Sequence, residues 1–86
     1  MKVYLVGVSD CEFEDVQYVC LSKETALEKW EKIRCELIDG RNYILKRHPD
    51  DKIQLKILKN LQETDPEKMD NHPHDEPFIY EMEMEE

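Results

Sequence analysis

The stretch that most restricts the fold lies at the C-terminal end, where Phe78, Tyr80, Met82 and Met84 alternate with Ile79, Glu81, Glu83 and Glu85. A period of two held over seven residues marks a half-buried strand, because successive Cβ atoms on a strand point to opposite faces. The strand reading predicts that the apolar row completes a sheet and that the carboxylates form an acidic outer stripe.

Its partners lie at the other end of the chain. Residues 2–8, KVYLVGV, read as a strand with Val3 and Leu5 on one face and Tyr4, Val6 and Val8 on the other. Both faces are apolar, which suits a central position. Residues 16–21, VQYVCL, are rich in β-branched and aromatic side chains and form a second strand. A loop of about six residues joins the two as an antiparallel hairpin.

Two helices fill the middle. Ser22 is a helix N-cap, with Glu24 at the positive helix end. Ala26, Trp30, Ile33 and Leu37, widened by Leu27 and Ile38, make a core-facing stripe. Asp39-Gly40 is the expected stop. RNYILKR, residues 41–47, fits either an extended link or a continuation of the helix. Pro49 marks the first turn of a second helix over 49–62, with Ile53, Ile57 and Leu61 on its apolar side. Residues 62–77 then form a long acidic loop with a helical turn at 66–69, before the final strand at 78–84.

The expected architecture is therefore α+β, a single domain over residues 1–86. The element order is β-β-α-α-β and the strand order 2-1-3, with both helices on one face. The direction of the last pairing stays open. The uncovered sheet face keeps either Val3 and Leu5 or Tyr4, Val6 and Val8 in view, which points to self-association or to a protein partner.

Charge narrows the partner class. Residues 1–60 carry eleven acids and eleven bases, whereas residues 61–86 carry ten acids and only Lys68, so the whole net charge of −9 lies in the last 26 residues. An acidic end repels nucleic acid and anionic membranes and favours a partner with a basic surface. Three cysteines, no C-x-x-C spacing, no signal peptide and no apolar run near 18 residues predict a protein of the reducing cytoplasm. Cys20 and Cys35 fall on apolar periodicities and read as small core residues, while Cys11 sits in a turn as an exposed thiol.

The stretches KVYLV, SKETA and IYEMEME, about half the chain, resemble small proteins of bacteriophages and low-GC Gram-positive bacteria. These proteins share a first strand of this type, a second strand ending in Ser, a helix start and a closing Glu-rich strand. The resemblance implies a ββαβ core and a phage origin, with the host cytoplasm as location. It implies no activity.

Catalytic chemistry finds little support. His72 and His74, with Asp70 and Asp75 nearby, have the residue types of a metal site, but fixed third and fourth ligands are needed and the segment reads as a solvated loop. Cys11 paired with His48, His72 or His74 as a nucleophile is not demanded by any spacing. Gly7 and Gly40 are too isolated to cradle phosphate. These residues predict no enzyme, no metal and no cofactor. The expected function is a small acidic protein-binding module, in one version a phage-encoded inhibitor of a host or defence protein. It would dock through Asp70, Asp75, Glu76, Glu81, Glu83, Glu85 and Glu86. The alternative is an accessory protein that pairs with its own copy as a homodimer.

Overall fold

The computed structural model describes residues 1–10, 13–69 and 76–85. Its elements are β1 (Lys2–Ser9), β2 (Glu14–Cys20), α1 (Lys23–Arg47), α2 (Lys52–Leu61) and β3 (Glu76–Glu83). β1 is central, and β2 and β3 both pair with it antiparallel in the order β2-β1-β3. The fold is thus the expected small α+β architecture. The direction of the last pairing is now set: β3 enters at the Ser9 end of β1, with Glu76 opposite Ser9 and Glu83 opposite Lys2.

The hairpin turn is tighter than expected. The Asp10 N–H donates to the Phe13 carbonyl at 3.0 Å, and the Phe13 N–H donates to Asp10 Oδ1 at 3.0 Å. β2 accordingly begins at Glu14, two residues early. The pairing also slips by one. Val6 opposes Tyr18 but Gly7 opposes Val16, so Gln17 is the extra residue of a β-bulge. Gly7 is required there. A Cβ at this position would overlap the Asp15 carbonyl oxygen and lie 2.9 Å from Phe78 Cζ.

Ser22 caps α1 as anticipated, its Oγ accepting from the Thr25 N–H at 3.2 Å. Gly40, however, is not the stop. It has no left-handed φ, and α1 runs on through RNYILKR to Arg47. Leu37 and Ile38 pack on the core before Gly40, while Ile44 and Leu45 are half-buried after it, so the apolar stripe continues across the glycine. Pro49 ends the helix instead, because a proline disfavours α geometry in the residue before it, and His48 leaves the helix at φ −131°, ψ 68°. Pro49 is therefore not in the first turn of α2. Asp51 is the N-cap, its Oδ1 accepting from Ile53 and Gln54 N–H groups at 3.1 and 3.2 Å.

One core cluster draws on Val6, Cys20, Ala26, Trp30, Ile33, Ile57, Leu61 and Met69, with Tyr4, Val8, Tyr18, Leu37, Ile38 and Ile79 packed around it. The Trp30 indole N–H donates to the Pro77 carbonyl at 3.3 Å, which ties α1 to the start of β3. α2 packs on α1 more than on the strands. Polar contacts also hold that pair. Arg41 donates to Gln54 Oε1 at 2.9 Å, and the buried Arg34 donates to the Leu61 carbonyl at 2.8 Å. Arg34 thereby satisfies a terminal carbonyl of α2 while forming a two-pronged ion pair with Glu31. At 25 residues α1 is roughly 37 Å long. It outruns an eight-residue strand, and the molecule measures 51 × 24 × 20 Å.

Candidate interaction surface

Residues directly opposed across antiparallel strands share a face, so the two registers sort the sheet. Tyr4, Val6 and Val8 of β1, Tyr18 and Cys20 of β2, and Ile79 of β3 face the helices. Among the described residues no helix lies over the opposite face. Its rungs are Glu14–Ser9–Glu76, Val16–Gly7–Phe78 and Val19–Leu5–Tyr80, then Val3–Met82 with Leu21 just past the end of β2. Met84 extends the row, its N–H donating to the Met1 carbonyl at 2.8 Å.

The final strand is therefore oriented opposite to the sequence expectation. Phe78, Tyr80, Met82 and Met84 do not fill the core under the helices; Ile79 does. The carboxylates of Glu81 and Glu83 lie on the helix side, and the apolar row lies on the open side. Alternation alone identifies two faces but carries no label for which one the helices cover.

The open face is largely apolar and largely exposed. Leu21 is 73% exposed, Val19 64%, Met82 48% and Tyr80 45%. Val3 and Phe78 are buried but stand outside the helix-side cluster. Val3 is short and flanked by longer side chains. Phe78 lies across Gly7 and stacks on Tyr80, with ring centroids 4.7 Å apart and 22° between planes. The Tyr80 hydroxyl donates to Glu14 Oε1 at 2.6 Å. That bond to a carboxylate, aided by partial burial, pushes the Tyr80 pKa above its ordinary value. The polar tip of Tyr80 is thus satisfied within the chain.

The bulge at Gln17 makes the patch larger. In regular alternation Val16 and Val19 would fall on opposite faces. The extra residue brings both to the open side. Sequence reading could find Val16 and Val19 as strand residues but not as neighbours on one face.

The predicted acidic dock does not form one free row. Lys2 Nζ lies 3.2 Å from Glu81, and the N-terminal ammonium lies 3.1 Å from Glu83. The hydrogen bond to Glu81 raises the Lys2 pKa. Both pairs are exposed and contribute little to stability, yet they offset two of the carboxylates. Glu81 also looks onto a cleft of about 290 Å³ whose walls include Tyr4, Lys23, Leu27 and Trp30. Glu76 is buried at the start of β3 and has interactions of its own. Glu85 is exposed beyond the strand. Asp70, Asp75 and Glu86 lie outside the described residues, as do Cys11, His72 and His74.

The remaining candidates are placed as follows. Cys20 is buried, but Cys35 is exposed on α1, its thiol held above its ordinary pKa by desolvation and by a hydrogen bond to Glu31. Arg34 occupies the buried position expected of an apolar residue. It sits four residues after Trp30, on the helical stripe, which was the available signal. Among the described residues no group of three His, Cys, Asp or Glu is placed to hold a metal ion. Among the described residues no helix is long and apolar enough to cross a membrane. Comparison of the chain with family models, with curated proteins and with solved structures finds no match.

Proposed function

We propose that the protein is a non-enzymatic protein-interaction module whose docking surface is the open face of the sheet, in place of the glutamate row of β3. One observation carries this reading. Val16, Val19, Leu21, Tyr80, Met82 and Met84 form a contiguous apolar patch on the face opposite the helices. Isolated exposed apolar residues are ordinary, but a contiguous exposed apolar patch marks a contact site. Three strands covered on one side also leave a small core.

The test pits the two faces against each other. The immobilised full chain is challenged with its own soluble copy and with cytoplasmic proteins of the source cell. Capture should be lost with Met82→Lys and survive Glu81→Gln, Glu83→Gln and Glu85→Gln together. The reverse pattern would return the docking role to the carboxylates.

A further inference from the structure

We infer that the occupant of the open face is a second copy of this chain, stacked sheet on sheet about a two-fold axis. The inference rests on the reading just given and names its partner. Three observations lead to it.

The first is area. Val16, Val19, Leu21, Tyr80, Met82 and Met84, at their observed exposures, present roughly 600 Å² of accessible surface, the lower end of the ~600–1,000 Å² that one partner gives to a standard interface. The whole face is needed to reach that figure, and a flat three-stranded sheet of the same width covers the whole face. Two sheets stacked ~10 Å apart form the centre of a sandwich.

The second is chemistry. The central rungs carry no charged side chain, and the hydroxyl of Tyr80 is already bonded to Glu14. The Glu14–Ser9–Glu76 rung at one end of the face stays wet, while the apolar rungs beyond it can go dry against another set of the same kind. Homodimer interfaces are the more apolar class, and a two-fold contact needs a surface that complements itself.

The third is charge placement. Lys2, Glu81 and Glu83 lie on the helix side, and the acids of the open face, Glu14 and Glu76, are confined to the rung at its Ser9 end, so the Leu5 and Val3 rungs can stack without bringing a charge between them. The charge of −9 per copy still repels at long range. Screening by salt should therefore tighten the dimer, whereas a basic foreign partner would be released by salt.

Sedimentation of the full chain over roughly 1–500 µM, at low and at physiological salt, tests the inference. The expected result is a shift from 10.4 kDa to twice that mass, favoured by salt. Val19→Lys should raise the dimer dissociation constant at least tenfold with unchanged circular dichroism, and Leu55→Lys, on α2, should not. A measurement without any variant guards against misfolding. The methyl resonances of Met82 and Met84 should move with protein concentration, while that of the buried Met69 stays fixed. A wild-type chain that stays monomeric throughout overturns the second copy as occupant. If Met82→Lys then still abolishes capture of another protein, the docking face stands and only its occupant was wrong. A dimer indifferent to Val19→Lys and Met82→Lys overturns both.

Discussion

The same substitution at the two glycines should change stability in opposite directions. At Gly7 a Cβ would overlap the Asp15 carbonyl oxygen and come within 2.8 Å of the Asp15 carbonyl carbon and 2.9 Å of Phe78 Cζ. The first two contacts are backbone, so no rotamer change relieves them. β2 would have to move away from β1 where Gly7, Val8 and Ser9 pair with Val16, Asp15 and Glu14. Overpacking costs about 1–3 kcal/mol, and a weakened ladder bond adds about 1 kcal/mol. Gly7→Ala should therefore lose about 3 kcal/mol, a large part of the ~5–15 kcal/mol that holds a domain together. Its melting temperature should fall by more than 10 °C, at about 4–8 °C per kcal/mol for a chain of this size. Gly40 is the counterpart. It sits in α1 with no left-handed φ, and nothing lies within 4 Å of its Cβ position. Gly40→Ala should gain about 0.5–1 kcal/mol from helix propensity. Urea denaturation at one fixed protein concentration reads both signs. A Gly7→Ala variant as stable as wild type would refute the register of the bulge, and a destabilised Gly40→Ala would refute the unbroken α1.

Three further outcomes follow from single contacts. Arg34→Met leaves the Leu61 carbonyl at the end of α2 without its donor and should cost about 2 kcal/mol, measured by denaturant midpoint; a neutral result would remove Arg34 as the clasp between the helices. Asp51→Ala deletes both bonds that cap α2 and should cost about 1 kcal/mol, with amide exchange rising in the first turn of α2 and not at Pro49's side of the turn. The Tyr80 hydroxyl has a pKa raised by its bond to Glu14. A raised folded value means that its stabilisation is present below the ordinary tyrosine value near 10 and is lost as pH climbs through the folded value. Glu14→Gln should bring Tyr80 ring titration, followed by magnetic resonance, to lower pH; an unmoved curve would show that the two groups do not meet in solution.

The elements were legible wherever a side-chain period ran unbroken. The alternation of 78–84 announced β3, the Ser22 cap and the Ala26–Trp30–Ile33 stripe announced α1, and the double apolarity of 2–8 placed β1 in the centre. Local signals misled where packing outweighed them. Gly40 has the chemistry of a helix end, but the stripe resuming at Ile44 keeps the chain helical. Cys35 lies near the stripe but on its exposed flank, and Arg34 is buried because a carbonyl of another helix needs its donor.

The candidate surface shows the division most plainly. The residues themselves establish that β3 has an apolar side and an acidic side, since the period of two is a property of the extended backbone. Which side meets the helices depends on where α1 lands, which is set by Trp30 reaching Pro77 and by Ile79 entering the core. Whether Val16 joins Val19 depends on a one-residue bulge tolerated only because Gly7 has no Cβ. Both are contacts between residues far apart in sequence, and no local periodicity carries that information.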